Sequence, residues 1–179
     1  MRSCCYLPVM FAVLLASVCV ADESPLVTKT NIKLSLSGAD QIIAAAKTKA
    51  AAMKLKVNIA VADDGGHLLA FARMDGARPA SVYTALTKAT AAATMRTATG
   101  PLPPGADVAD AHLSLSVQNA AAASGGKMTT LYGGVPVIVD GQVIGAVGVG
   151  GGTGEQDAEI AKAGIAALLE ALAGEKPAK

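Results

Sequence analysis

The chain has 179 residues, enough to bury the core of one domain. Fifteen Lys and Arg against fourteen Asp and Glu give a formal net charge of +1, which excludes the basic field that nucleic-acid binding needs. Aromatic residues make up only 3% and Trp is absent, so neither a base-stacking platform nor an aromatic cage can be built.

Residues 1–21 read as a signal peptide. Arg2 supplies the positive start, Val9–Val20 the apolar stretch, and Cys19-Val20-Ala21 a small-x-small cleavage site. A lipoprotein with Cys19 acylated is the alternative, and Val18 before it fits that poorly. The stretch is too short for a spanning helix, so no transmembrane span is expected in the mature chain. Cleavage after Ala21 removes all three cysteines, Cys4, Cys5 and Cys19, leaving no disulfide and no thiolate chemistry. The expected destination is the periplasm or the exterior.

Residues 22–36 form a polar lead-in, 37–174 the domain and 175–179 a tail. Ser37, with Asp40 three residues on, predicts a helix start. Ile42, Ala46, Ala50 and Met53 then follow at helical spacing, with Lys47, Lys49 and Lys54 turned outward. Val57–Ala62 reads as a strand, Asp63-Asp64-Gly65-Gly66 as a turn and His67–Met74 as the returning strand. Period two places His67, Leu69, Phe71 and Arg73 on one face. Ser81–Thr97 is an Ala- and Thr-rich helix whose charges, Lys88 and Arg96, lie along one side. Its small residues predict close packing against a sheet or another subunit.

Proline and glycine over Gly100–Gly105 break the helix. Asp107–Ser124 predicts a short helix carrying His112, and Met128–Tyr132 a short strand. Val135–Val139 and Val143–Val149 flank Asp140-Gly141, a strong hairpin signal. The second run enters the glycine cluster Gly148-Val149-Gly150-Gly151-Gly152. Thr153 and Gln156 then fit a capping box, with Glu155 and Asp157 in the first turn of the last helix. The glycines lack the third glycine of a dinucleotide fingerprint, so close packing at a subunit interface is the preferred reading. Hairpins dominate, which predicts a largely antiparallel sheet with helices packed on it.

Four segments resemble one family: Val61–Ala77, reading VADDGGHLLAFARMDGA; Lys88-Ala89; Gly133-Gly134-Val135-Pro136; and Asp140-Gly141 through Gly154-Glu155-Gln156-Asp157. Together they are similar to the GlcG/HbpS-like proteins, the haem-degrading domain family, which is related to the C-terminal domain of PduO-type cobalamin adenosyltransferases. The resemblance implies an α+β, profilin-like fold, with a five-stranded antiparallel sheet between helices in α/β/α layers. It implies homo-oligomers, dimers or octamers. It also implies haem as the cofactor, with slow haem breakdown or redox sensing in secreted members.

Haem needs an iron ligand and cations for its propionates. His67 and His112 are the only imidazoles, hence the candidate metal ligands. Each also reads as a surface residue, one at a hairpin edge and one on a helix. Met74 is a soft alternative, although a methionine between strand and turn is more often core, and Thr97 or Thr99 could ligate weakly. Arg73, Arg78, Lys88 and Arg96 are the candidate cofactor-binding cations. The competing expectation pairs Lys88 or Arg73 with Glu155 or Asp157 across the fold. Glu155 and Asp157 are the candidate catalytic acids or bases, although a helix's first turn favours acids without catalysis. Three functions follow: a secreted haem-binding protein; a binding protein or enzyme for a small organic acid, clamped by Lys88 and Arg73 with proton transfer by Glu155 or Asp157; or a ligand-free assembly module.

Overall fold

The computed structural model describes residues 31–102, 108 and 110–174. The expected signal peptide, most of the lead-in and the tail lie outside the described residues. The chain divides into two units, and the second, Ile32–Lys179, carries the fold.

Helix α1 spans Leu36–Ala52, and Ser35 caps it by accepting a hydrogen bond from the Gly38 amide at 3.1 Å. The cap falls two residues before the expected Ser37. Ser35 Oγ reaches the third amide onward, and its carbonyl takes the first helical bond from Ala39 N at 3.0 Å. The far end closes in a Schellman motif: Lys54 N donates to Ala51 O and Leu55 N to Ala50 O, both at 2.9 Å. Lys54 occupies the left-handed position (φ 57°) that glycine fills at least cost, at a penalty of about 1 kcal/mol.

Strands β1 (Asn58–Asp63), β2 (Leu68–Arg73), β3 (Gly134–Val139) and β4 (Gln142–Gly150) form one antiparallel sheet in the order β2-β1-β4-β3. Asp140 (φ 48°) and Gly141 (φ 74°) make the tight turn between β3 and β4, as the Asp-Gly pair predicts. A bulge opposite Val61 and Ala62 leaves Leu69 outside the register, so it packs with Ala70 and Ala72 against the core rather than beside Phe71. The expected strand at Met128–Tyr132 is not formed. Thr129 Oγ1 accepts from Leu131 N at 3.1 Å, a local bond that competes with a ladder. The described sheet therefore has four strands rather than five.

The two faces of the sheet are packed differently. On one, Ile59, Val61, Val147 and Val149 meet Ile42, Ala46 and Ala50 of α1 and Ile160, Ile165 and Leu168 of α4 (Gly154–Gly174). Each fully buried Val or Ile contributes ~1.5–3 kcal/mol. On the other face, Ala60 and Ala62 receive Ala85 and Ala89 of α2 (Ser81–Met95), while Ala146 receives Ala92 and Ala93. Leu86 of α2 is the larger side chain packed, half-buried, against these alanines. A Cβ on Gly148 would collide with the Ala85 carbonyl and the Ala89 amide, and one on Gly134 with the Lys88 carbonyl. These glycines admit the backbone of α2; the close packing expected at a subunit interface is instead internal. The remaining helix, α3 (Ala111–Ala123), is capped by Asp110, and none of its residues is buried.

Gly148→Ala should lower stability by ~3 kcal/mol, because backbone atoms of α2 must move to admit the methyl group. Urea unfolding checks this, with Gly141→Ala, whose Cβ would meet nothing within 4 Å, as the comparison for backbone strain alone.

Candidate functional site

The site is built where α2, the end of β4 and the start of α4 converge. Lys88 projects from α2, and its ammonium donates to the carboxylate of Asp157 at 2.7 Å and to the Val149 carbonyl at 2.8 Å. The second Asp157 oxygen accepts from Gly152 N at 2.9 Å. The two side chains are 6% and 2% exposed, so the pair is dry and every charge in it is matched. Of the pairings open in the sequence, Lys88 with Asp157 is the one formed. Gly133 (φ 121°) closes over it: a Cβ there would sit 2.7 Å from Asp157 Cβ and 2.9 Å from Lys88 Nζ. Thr99 fastens the next residue, donating its backbone N–H to Gly134 O at 3.0 Å and accepting from Gly134 N at 2.8 Å. The Thr99 hydroxyl is thereby committed to the backbone.

Helix α4 begins in a reciprocal capping box. Thr153 Oγ1 accepts from Gln156 N at 3.3 Å, and Gln156 Oε1 accepts from Thr153 N at 2.9 Å. Asp157 is buried behind this cap, while Glu155 stands in solvent. A hydrogen bond from its own backbone N–H, followed by one from the Thr153 side chain, holds the Glu155 carboxyl below its usual range. Glu155 is thus an anion at neutral pH, poorly suited to donate a proton there.

In front of the ion pair lies a cleft of about 600 Å³. Arg78, Thr84, Leu131, Tyr132 and Glu155 line it, with the bare backbone of Gly151 and Gly152 at its rim. Arg78 is held by the turn before α2: its Nε donates to Ser81 Oγ at 2.9 Å, and its carbonyl accepts from Asn58 Nδ2 at 3.1 Å. Tyr132 is flanked by glycine on both sides. A Cβ on Gly100 would lie 3.0 Å from its ring, and one on Gly154 would lie 2.8 Å from its Cβ. The sequence offered a signal for Tyr132, an aromatic directly before Gly133-Gly134, but its candidate ligands were imidazoles, thioethers and threonines.

The other sequence candidates lie elsewhere. His67 is on the β1–β2 turn, 81% exposed, with Nδ1 3.4 Å from Asp63 Oδ1. His112 is exposed on α3. Arg96 caps α2 in the left-handed conformation and faces solvent. Arg73 and Met74 line a different cleft, beside the end of α1. Among the described residues, no three His, Cys, Asp or Glu side chains are grouped to hold a metal ion, and no helix is long and apolar enough to cross a membrane.

Haem would ask this cleft for an iron donor, apolar walls and a cation. Tyr132 offers a phenolic oxygen, a known donor to haem iron. Leu131 and Pro101 give apolar surface, and Arg78 suits a propionate. The residues present fit the group through oxygen rather than imidazole.

Lys88→Met and Asp157→Leu should each cost ~3–5 kcal/mol, because each strands a buried charge. The double variant should lose less than the sum by ~2 kcal/mol or more, a coupling measurable by chemical denaturation.

Comparison with known proteins places the chain. The protein GlcG of Escherichia coli is 45% identical over 123 residues, covering 68% of this chain and 84% of GlcG. The crystal structure of Klebsiella pneumoniae protein ORFY superposes with a TM-score of 0.68 at 30% identity, covering 82% of this chain and 98% of that one. A structure described as a PduOC:haem complex superposes at 0.63 and 30% identity, covering 76% and 95%. The family model "Haem degrading protein HbpS-like" matches residues 34–166, and the chain belongs to that HbpS-like family.

Proposed function

We propose that this protein binds haem in the cleft between Arg78 and Tyr132. The observation that carries the reading is the cleft itself: about 600 Å³, with an oxygen donor and a cation on its walls, at the point where the glycine segments converge. The haem complex of a relative of the same fold supports it. In this reading Tyr132 holds the iron, Arg78 pairs with a propionate, and Leu131 and Pro101 cover part of the ring. The Lys88–Asp157 pair positions the rim and is not itself a ligand. Bound haem would supply the redox chemistry for any breakdown or sensing role.

Export fits the leader at residues 1–21, and the proposed location is the periplasm or the exterior. A homo-oligomer, dimer or octamer, fits α3, which buries nothing and exposes Leu113 and Leu115. A second reading, a small organic acid as ligand, is favoured by one feature: Arg78 faces the amino end of α4 across a cleft without imidazole.

Hemin titration of the purified protein should give a saturable Soret shift. Tyr132→Phe should weaken binding ~10-fold or more, while His67→Ala and His112→Ala retain it. Absence of a saturable shift, or loss of binding only in the histidine variants, would overturn the assignment to this cleft.

A further inference from the structure

A second cleft, of about 670 Å³, lies between the last turn of α1 and the end of β2. Its cations are Lys47, Lys54, Lys56 and Arg73; Asp75 is its only carboxylate, and Leu55 and Met74 give it an apolar floor. That is a dense positive charge in a chain whose formal net charge is +1. Among the described residues none of the four cations is in an ion pair. Two chain segments remote in sequence supply them, and the hydrogen bond from Met74 N to Val57 O, 3.1 Å, locks those segments together. Arg73 Nη2 donates to Ala77 O at 3.0 Å, and Lys56 lies over the β2 turn, where a Cβ on Gly76 would come within 3.0 Å of its Cδ and Nζ.

The attraction of a helix's carboxyl end for cations favours Lys54, directly after the C-cap Met53, but not Lys47, which lies before the last turn. It does not account for Arg73, at the end of β2, or for Lys56, in the loop between α1 and β1. For Lys54 that attraction has to offset a left-handed backbone that glycine would adopt in the same motif without strain. We propose that this cleft is a binding site for a small multivalent anion, carboxylate or phosphate, carried on an apolar body. Arg73 would take one anionic group through its planar fork, the lysines the others, and Leu55 and Met74 the apolar part.

The test is calorimetric titration of the full chain with mellitate, a flat ring bearing carboxylates, and with tripolyphosphate. Saturable binding of at least one is expected, and the tighter of the two identifies the anionic group. Arg73→Gln and Lys54→Gly should each weaken it ~10-fold or more. Lys54→Gly should at the same time raise Tm by ~2–4 °C, which shows that the variant is folded. Lys162→Gln, an exposed lysine on α4, should leave the affinity within about twofold, given ordinary screening. No saturable binding of either anion, unchanged affinity in Lys54→Gly, or an equal loss in Lys162→Gln would each overturn the proposal.

Discussion

The fold depends on one buried charge pair. Lys88 and Asp157 join α2, β4 and α4 through contacts that cannot be given up singly: the ammonium serves Asp157 and the Val149 carbonyl, and the carboxylate serves Lys88 and the Gly152 amide. Burying one such charge alone would cost several kcal/mol, so the three elements must arrive together. The consequence for function is positional. The pair fixes where the glycine segment Gly150–Gly152 leaves the sheet and where α4 begins, and those two points define the rim of the cleft.

Around that pair the sheet is asymmetric in a way that serves the same end. One face is filled by branched aliphatic side chains and carries most of the apolar burial. The other carries mostly alanine and glycine, so α2 lies close against backbone, and Lys88 reaches the interior from a helix rich in alanine and threonine. Larger side chains at the β3 and β4 glycines would hold α2 away, leaving the Lys88 ammonium short of Asp157. The glycines of β3 and β4 are thus needed for the ion pair as well as for packing.

Much of this was legible in the residues. The Asp140-Gly141 hairpin, the Thr153–Gln156 capping box and the buried stripe Ile42, Ala46, Ala50 follow from local rules, and local geometry decides them. The features that escaped depend on partners distant in sequence. Which acid Lys88 would take, Glu155 or Asp157, is set by α4's rotation about its axis, which turns Asp157 inward and leaves Glu155 in water. The glycine cluster reads equally well as a subunit contact until α2 is seen against it. Leu69 changes face because of a bulge that no alternation of residues announces. No local pattern shows the place of Tyr132, because Gly100 and Gly154, which flank it, are more than fifty residues apart.

The most direct test of the central claim is a ¹H–¹⁵N spectrum of the lysine ammonium groups at neutral pH. Exposed lysines exchange their protons with water too fast to be seen, whereas an ammonium hydrogen-bonded in a dry interior is protected. One resolved Lys88 signal is expected, and it should vanish in Asp157→Asn while the backbone spectrum stays folded. A Lys88 ammonium that exchanges as fast as the surface lysines in the native protein would contradict the claim.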